Sequence, residues 1–128
     1  MTQGADRQTL IKGYIEAFEA RDLDRCMSYF SDDATIDFQD TLYSGRQNIE
    51  SWHSERFDAN LRIRRLESVR VDGDTAVVDV VISSDRLSAW NVKSLNGRIT
   101  VRFEGEKIKE GKLAARMTNV FDMLRSSD

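Results

Sequence analysis

The stretch YIEAFEARDLDRCMSYFSDDATIDF, from Tyr14 to Phe38, decides the fold. Leu10, Ile11, Tyr14, Ile15 and Phe18 recur three and four apart, so a helix from about Asp6 to Arg21 turns one apolar face inward. Arg21-Asp22-Leu23-Asp24 ends it. Asp22 is placed to cap a second, short helix, because its carboxylate can accept from the free amides ahead of it, and Leu23, Met27 and Phe30 continue at helical spacing. The chain then changes period, and Ile36 and Phe38 oppose Thr35 and Asp37 in a strand over about 34 to 39.

Further on, a third helix starts near Gln47 and buries Ile49, Trp52 and Phe57. Everything after Asn60 is dense in β-branched residues, with Asp72-Gly73-Asp74 as a compact turn between alternating runs. Strands are expected at 61 to 71, 75 to 90, 97 to 109 and 112 to 124, and Gly105, inside the third of these, is expected to be a bulge that curves the sheet. The fold class is therefore α+β: a curved, mainly antiparallel sheet forming a cone around about three N-terminal helices, in a single domain spanning 1–128.

A chain of 128 residues buries roughly 65–70% of the surface exposed by its unfolded form, enough for one core without a disulfide or a metal. Nineteen Lys and Arg against 22 Asp and Glu leave a formal charge of -3, too mild to select a nucleic acid partner. The polar N-terminus lacks the apolar stretch of a signal peptide, no segment approaches the length of a membrane span, and the lone Cys26 cannot form an intrachain bridge. The expectation is a cytoplasmic protein with no membrane partner.

Strand parity carries the information about chemistry, since successive side chains point to opposite faces and one face meets the helices. Ala76, Val78, Val80 and Ile82 lead to Ser84, Arg86, Ser88 and Trp90 on one parity; Val77, Asp79, Val81, Ser83 and Asp85 occupy the other. Ile99, Val101 and Phe103 oppose Thr100, Arg102 and Glu104, and Ala115, Met117, Asn119 and Phe121 form the last apolar set. With each apolar set inward, the hollow is greasy and its polar members are Tyr14, Ser84, Arg86, Ser88 and Asn119.

Those features together resemble the nuclear transport factor 2-like superfamily, in the SnoaL-like branch related to polyketide cyclases, ketosteroid isomerases, limonene epoxide hydrolases and scytalone dehydratases. The residues that carry the resemblance are Tyr14 through Ala34, Tyr43-Ser44-Gly45 with Ile49 a helical step beyond, and Gly111-Lys112-Leu113. The resemblance implies that Tyr14 matches the helix-one oxyanion donor of ketosteroid isomerases, but Phe38 stands where they carry the carboxylate base. Their late-strand acid falls at Phe103, or at Glu104 with a one-residue slip. Arg86 matches the arginine of epoxide hydrolases, while Ser88 and Thr118 or Asn119 replace their acids, and Ile36 and Phe38 replace their water-positioning tyrosine and asparagine. Neither mechanism transfers whole, because proton transfer needs a group of suitable pKa within reach of the substrate.

The expected function is thus a SnoaL-like protein that binds a small hydrophobic, even polycyclic, ligand and needs no cofactor or metal. The expected ligand-binding residues are Tyr14, Phe38, Trp52, Ile82, Arg86, Trp90, Val101, Phe103, Met117 and Asn119. An alternative is an isomerase, polyketide cyclase or dehydratase in which Tyr14 polarises a carbonyl and Asp37 or Glu104 is the base. A third is a dimeric interaction module that binds no ligand. Homodimerisation is expected through the outer sheet face, where Val77, Val81 and Leu87 form a modest apolar patch. His53 adjoins Trp52 on a helix rich in polar residues and is expected in solvent; Cys26 reads as a small buried thiol, and Arg62, Arg64 and Arg65 as a solvated face.

Overall fold

A computed structural model describes residues 3–115, with side-chain burial defined from residue 7 onward. The order of elements is α1 (Gln3–Glu19), α2 (Leu23–Ser28), β1 (Phe30–Phe38), β2 (Thr41–Ser44), α3 (Arg46–Asp58), β3 (Arg62–Asp72), β4 (Thr75–Ser83), α4 (Asp85–Ala89), β5 (Leu95–Glu104) and β6 (Lys107–Ala115). The strands form one six-stranded sheet in the order β2-β1-β6-β5-β4-β3. Only the β1–β6 pair is parallel among the described strands. Helix α1 packs on β3, α3 on β1 and β2, and α2 bridges α1 and α3, which leaves the sheet wrapped around the helices.

The apolar spacing read in α1 is the core: Ile11, Tyr14, Ile15, Ala17 and Phe18 are buried. Asp22 caps α2, its carboxylate accepting from the Arg25 amide at 3.1 Å. Strand β4 obeys the expected parity, with Ala76, Val78, Val80 and Ile82 all buried, and Cys26 is a buried free thiol whose burial pushes its pKa up to about 12. Of the arginines of β3, Arg62 pairs with Glu19 at 3.6 Å, Arg65 with Glu67 at 3.2 Å, and Arg64 donates to the Ser83 hydroxyl at 2.8 Å.

Five expectations about the elements are corrected. Phe30 opens β1 rather than closing α2. The strand expected to run from 75 to 90 stops at Ser83, because the Ser84 hydroxyl accepts from the Leu87 amide at 3.3 Å and starts the short helix α4. Gly105 is not a bulge. It lies at φ +63° in the two-residue turn between Glu104 and Lys107, so the strand expected at 97 to 109 is two strands, and Gly111 lies within β6 instead of before it. A further hairpin joins β1 to β2 through Gln39 and Asp40, both left-handed at φ 51° and 65°.

The two turns at one end of the sheet are held together by α1. Arg7 donates from Nη1 to the Gly73 carbonyl at 2.5 Å and from Nη2 to the Gly105 carbonyl at 3.2 Å. Its guanidinium also lies 5.5 Å from the Phe103 ring centre. The opposite end, where β4 gives way to α4 and β6 reaches Ala115, is the open end of the cone.

Candidate functional site

Between the helices and the concave face lies a chamber of about 50 Å³. Tyr14 and Phe18 of α1, Trp52 of α3, and Ile36, Ile82 and Val101 of the sheet are among its walls, and the surface they present is carbon throughout. Among the described residues that line it there is no aspartate, glutamate or histidine. Leu61, Ile82, Lys112 and Leu113 are walls both of this chamber and of a wider recess of about 560 Å³ at the open end. The recess adds Phe38, Leu87, Trp90 and Leu95, together with Asp37, Asp40, Ser84 and Arg86. A narrow apolar chamber thus adjoins a broader mouth of mixed polarity.

The polar heart of the domain sits behind the chamber wall. His53, expected in solvent, is 0% exposed. It is one helical turn beyond Ile49, on the face of α3 that also carries Trp52, and the rings of Tyr14, Phe30, Trp52 and Phe57 surround it at centroid distances of 5.0–6.2 Å. This apolar setting disfavours the imidazolium and lowers the pKa of His53 to about 4, against the smaller opposing effect of its bond to the Ile49 carbonyl.

The neutral ring has one N–H, and its neighbours fix where that proton resides. His53 Nδ1 is 2.8 Å from the Ile49 carbonyl oxygen, which can only accept, so Nδ1 carries the hydrogen. Nε2 is then an acceptor, and the Tyr14 hydroxyl, 2.7 Å away, donates to it. The phenol is buried, which pushes its pKa well above the ordinary tyrosine value. Tyr14 therefore spends its single proton within the protein and faces the chamber with its ring.

Trp52 is the counterpart. It is 4% exposed, it lines the chamber, and its indole Nε1 has no hydrogen-bond partner. One turn along α3, the buried Nε of Arg56 is also unpartnered, and its guanidinium lies 4.6 Å from the centre of the Phe38 ring. Phe38 in turn stands 5.6 Å from Trp52 at an interplanar angle of 76°.

The expected site residues therefore separate into groups. Tyr14, Trp52, Ile82 and Val101 meet at the chamber, and Phe38, Arg86 and Trp90 lie around the recess with Asp37. Arg86 is on α4 rather than on a strand, and Trp90, just past that helix, is 67% exposed. Phe103 is buried in the core near the closed end without lining the chamber, and Glu104 is exposed beside the turn at that same end. Glu104 lines neither cavity, so its turn-end position separates it from Tyr14. Met117 and Asn119 lie outside the described residues. Leu87, counted in an outer apolar patch, instead faces the recess from α4. On the outer face Val77 and Val81 stand near ion pairs, Arg98 with Asp79 at 2.8 Å and Arg102 with Glu110 at 2.9 Å.

His53 and Arg56 were absent from the expected site. The signal for them was the spacing Ile49, Trp52, His53, Arg56, which is one helix face, outweighed by the polar residues between. Among the described residues no group of three or more His, Cys, Asp or Glu could hold a metal ion, and no helix is long and apolar enough to cross a membrane.

This architecture defines a cone-shaped α+β protein with an apolar interior, and similar folds are known. Residues 11–111 match the SnoaL-like domain, and the chain belongs to that family. A protein from Xanthomonas campestris, provisionally described as a polyketide cyclase, superposes with a TM-score of 0.76 at 16% identity, covering 94% of this chain and 98% of that one. One from Kribbella flavida, provisionally described as a ketosteroid isomerase, gives 0.76 at 14% identity, covering 90% and 81%. A nuclear transport factor 2-like protein of unknown function from Cytophaga hutchinsonii gives 0.70 at 10%, covering 90% and 94%. At these identities the likeness is one of fold. No curated protein matches the sequence significantly.

Proposed function

We propose that this protein binds a small hydrophobic molecule, whose apolar end enters the chamber while the rest lies in the recess. The observation that carries the reading is the chamber itself: carbon-lined, with no acid among its described walls, and adjoining a mouth about 560 Å³ in volume. Pockets for small molecules are mostly apolar with a few polar groups. At about 50 Å³ the chamber is smaller than the ~150 Å³ apolar cavity that admits benzene, so a polycyclic ligand would leave most of its rings in the recess. A ligand that binds only the folded state raises its melting temperature. Thermal melts with a panel of apolar ring compounds test this, and a panel that produces no rise removes the proposal.

A second reading is an enzyme of the isomerase, cyclase or dehydratase type, and one observation favours it: Asp37 is half-buried in the wall of the recess. Under that reading Asp37 takes a proton from a substrate held with its reacting carbon at the mouth, and Asp37→Asn abolishes turnover. Under the binding reading the same substitution leaves ligand affinity within about twofold, since Asn keeps the shape of the side chain and the apolar end of the ligand lies in the chamber, which Asp37 does not line. Tyr14 supports the binding reading, because its proton is already donated to His53.

A further inference from the structure

We infer that the ligand is an amphiphile with a carboxylate head, such as a fatty acid, and that Arg86 at the mouth of the recess selects that head. The inference rests on the reading that the chamber and the recess take an apolar molecule. The chamber presents carbon alone, so any polar group of the ligand lies in the recess. At about 50 Å³ the chamber is also too small for a benzene ring, and the end of an alkyl chain suits it better. Arg86, Leu87 and Trp90 are walls of the recess, with Arg86 and Trp90 one turn apart on α4 and its C-terminal cap. An indole left 67% exposed beside a guanidinium offers one molecule a seat for both its apolar stem and its charged head.

The sign of the head group follows from where the charges stand. Asp37, Asp40, Arg86 and Lys112 are the charged residues among the described walls of the recess. Asp37 is paired in register with Lys112 across β1 and β6, so those two charges offset each other. Asp40 lies in the exposed turn at the same side of the sheet, and two strands, β6 and β5, separate that side from β4 and the α4 that follows it.

On the α4 side the nearest acid in sequence is already engaged, since Asp85 accepts from the Asn60 side chain at 3.3 Å. Among the described residues Arg86 has no ion pair and no side-chain hydrogen bond. Ser84, another wall of the recess, accepts from the Leu87 amide through its hydroxyl oxygen and keeps its proton for an acceptor. A cationic head fares worse. The aromatic ring on the acidic side is Phe38, and the Arg56 guanidinium already lies 4.6 Å from its centre. A carboxylate instead meets the planar fork of Arg86, whose geometry matches its two oxygens.

The test compares octanoate, octanamide and octylamine on the full-length protein by calorimetry at about pH 7.5, where the acid is ionised and the amine protonated. The three share a chain and differ in the charge of the head. Octanoate is expected to bind about fivefold more tightly than octanamide at low salt, the scale of an ion pair with an exposed arginine. Added salt should shrink that advantage in the unaltered protein, because an exposed pair is screened. Arg86→Gln should bring acid and amide within about twofold of each other, and Lys112→Gln should retain the preference.

Equal affinities for acid and amide, a preference for octylamine, an advantage indifferent to salt, or one that survives Arg86→Gln overturns the assignment. Each of these leaves the cavity a ligand site. If none of the three binds, the carboxylate assignment falls, and the melts with ring compounds decide the proposed function separately.

Discussion

Acidification should destabilise this protein through His53, and the effect can be sized. The folded protein keeps the imidazole neutral with a pKa of about 4, whereas in the unfolded chain it returns to its ordinary value near 6.5. Between those values the unfolded state binds a proton that the folded state refuses, so stability rises with pH across the window and is lost as pH falls through it. The slope approaches 1.4 kcal/mol per pH unit, and from about pH 7.5 to pH 4.5 the loss is roughly 2.5 kcal/mol. Among the described residues no charged group offsets it: the groups that ring it are aromatic, and its two partners are the Ile49 carbonyl, whose smaller opposing effect is already contained in the value of about 4, and the Tyr14 hydroxyl. Carboxylates held below their usual range by ion pairs, such as Glu110 beside Arg102, lose stability at still lower pH. The His53 contribution is therefore isolated as a difference between unaltered protein and His53→Gln, which keeps a polar side chain but does not titrate. Urea unfolding at half-unit pH steps should give a difference curve that falls by about 2.5 kcal/mol toward pH 4.5. A flat curve would refute the reasoning, since it would mean that the folded protein protonates His53 as readily as the unfolded one.

Other outcomes follow from the same geometry. Tyr14→Phe leaves His53 Nε2 as a buried acceptor without a donor and should cost about 1–3 kcal/mol in urea unfolding. Gly111→Ala should stabilise β6 by roughly 0.5–1 kcal/mol, because glycine in a strand interior is the poorer choice. Among the described residues the added methyl meets Ile36 Cγ1, at 4.0 Å, and narrows the chamber, so affinity for an apolar ring compound should fall as the urea midpoint rises. Sedimentation equilibrium should show a homodimer joined across the outer sheet face, and Val77→Lys with Val81→Lys should return a monomer; an unchanged mass in the double variant removes that face from the contact.

The parts of this fold that repeat a period were readable in the residues themselves. Leu10 to Phe18 mark a helix face and Ala76 to Ile82 a strand face, because burial imposes the period directly on side-chain type. The β1–β2 hairpin was not readable: its left-handed positions are Gln39 and Asp40, neither of them the glycine that announces such a turn. The start of α4 was hidden because Ser84 and Arg86 continue the alternation of β4 in polarity while the Ser84 hydroxyl redirects the backbone. Tyr14 and Trp52 could be placed at the hollow from spacing alone, but not that the Tyr14 hydroxyl is turned away to His53. That depends on His53, whose residue type favours solvent and whose position on the Ile49 face overrides the preference.

Arg7 fastens the two β-turns at one pole of the molecule to the first helix. A hollow body laced at one pole can breathe only at the other. Amide hydrogens near Gly73 and Gly105 should therefore exchange more slowly than those around α4, and guests should come and go past Trp90 and Leu95. Releasing the lace with Arg7→Ala would open a second gate without touching a single wall of the interior.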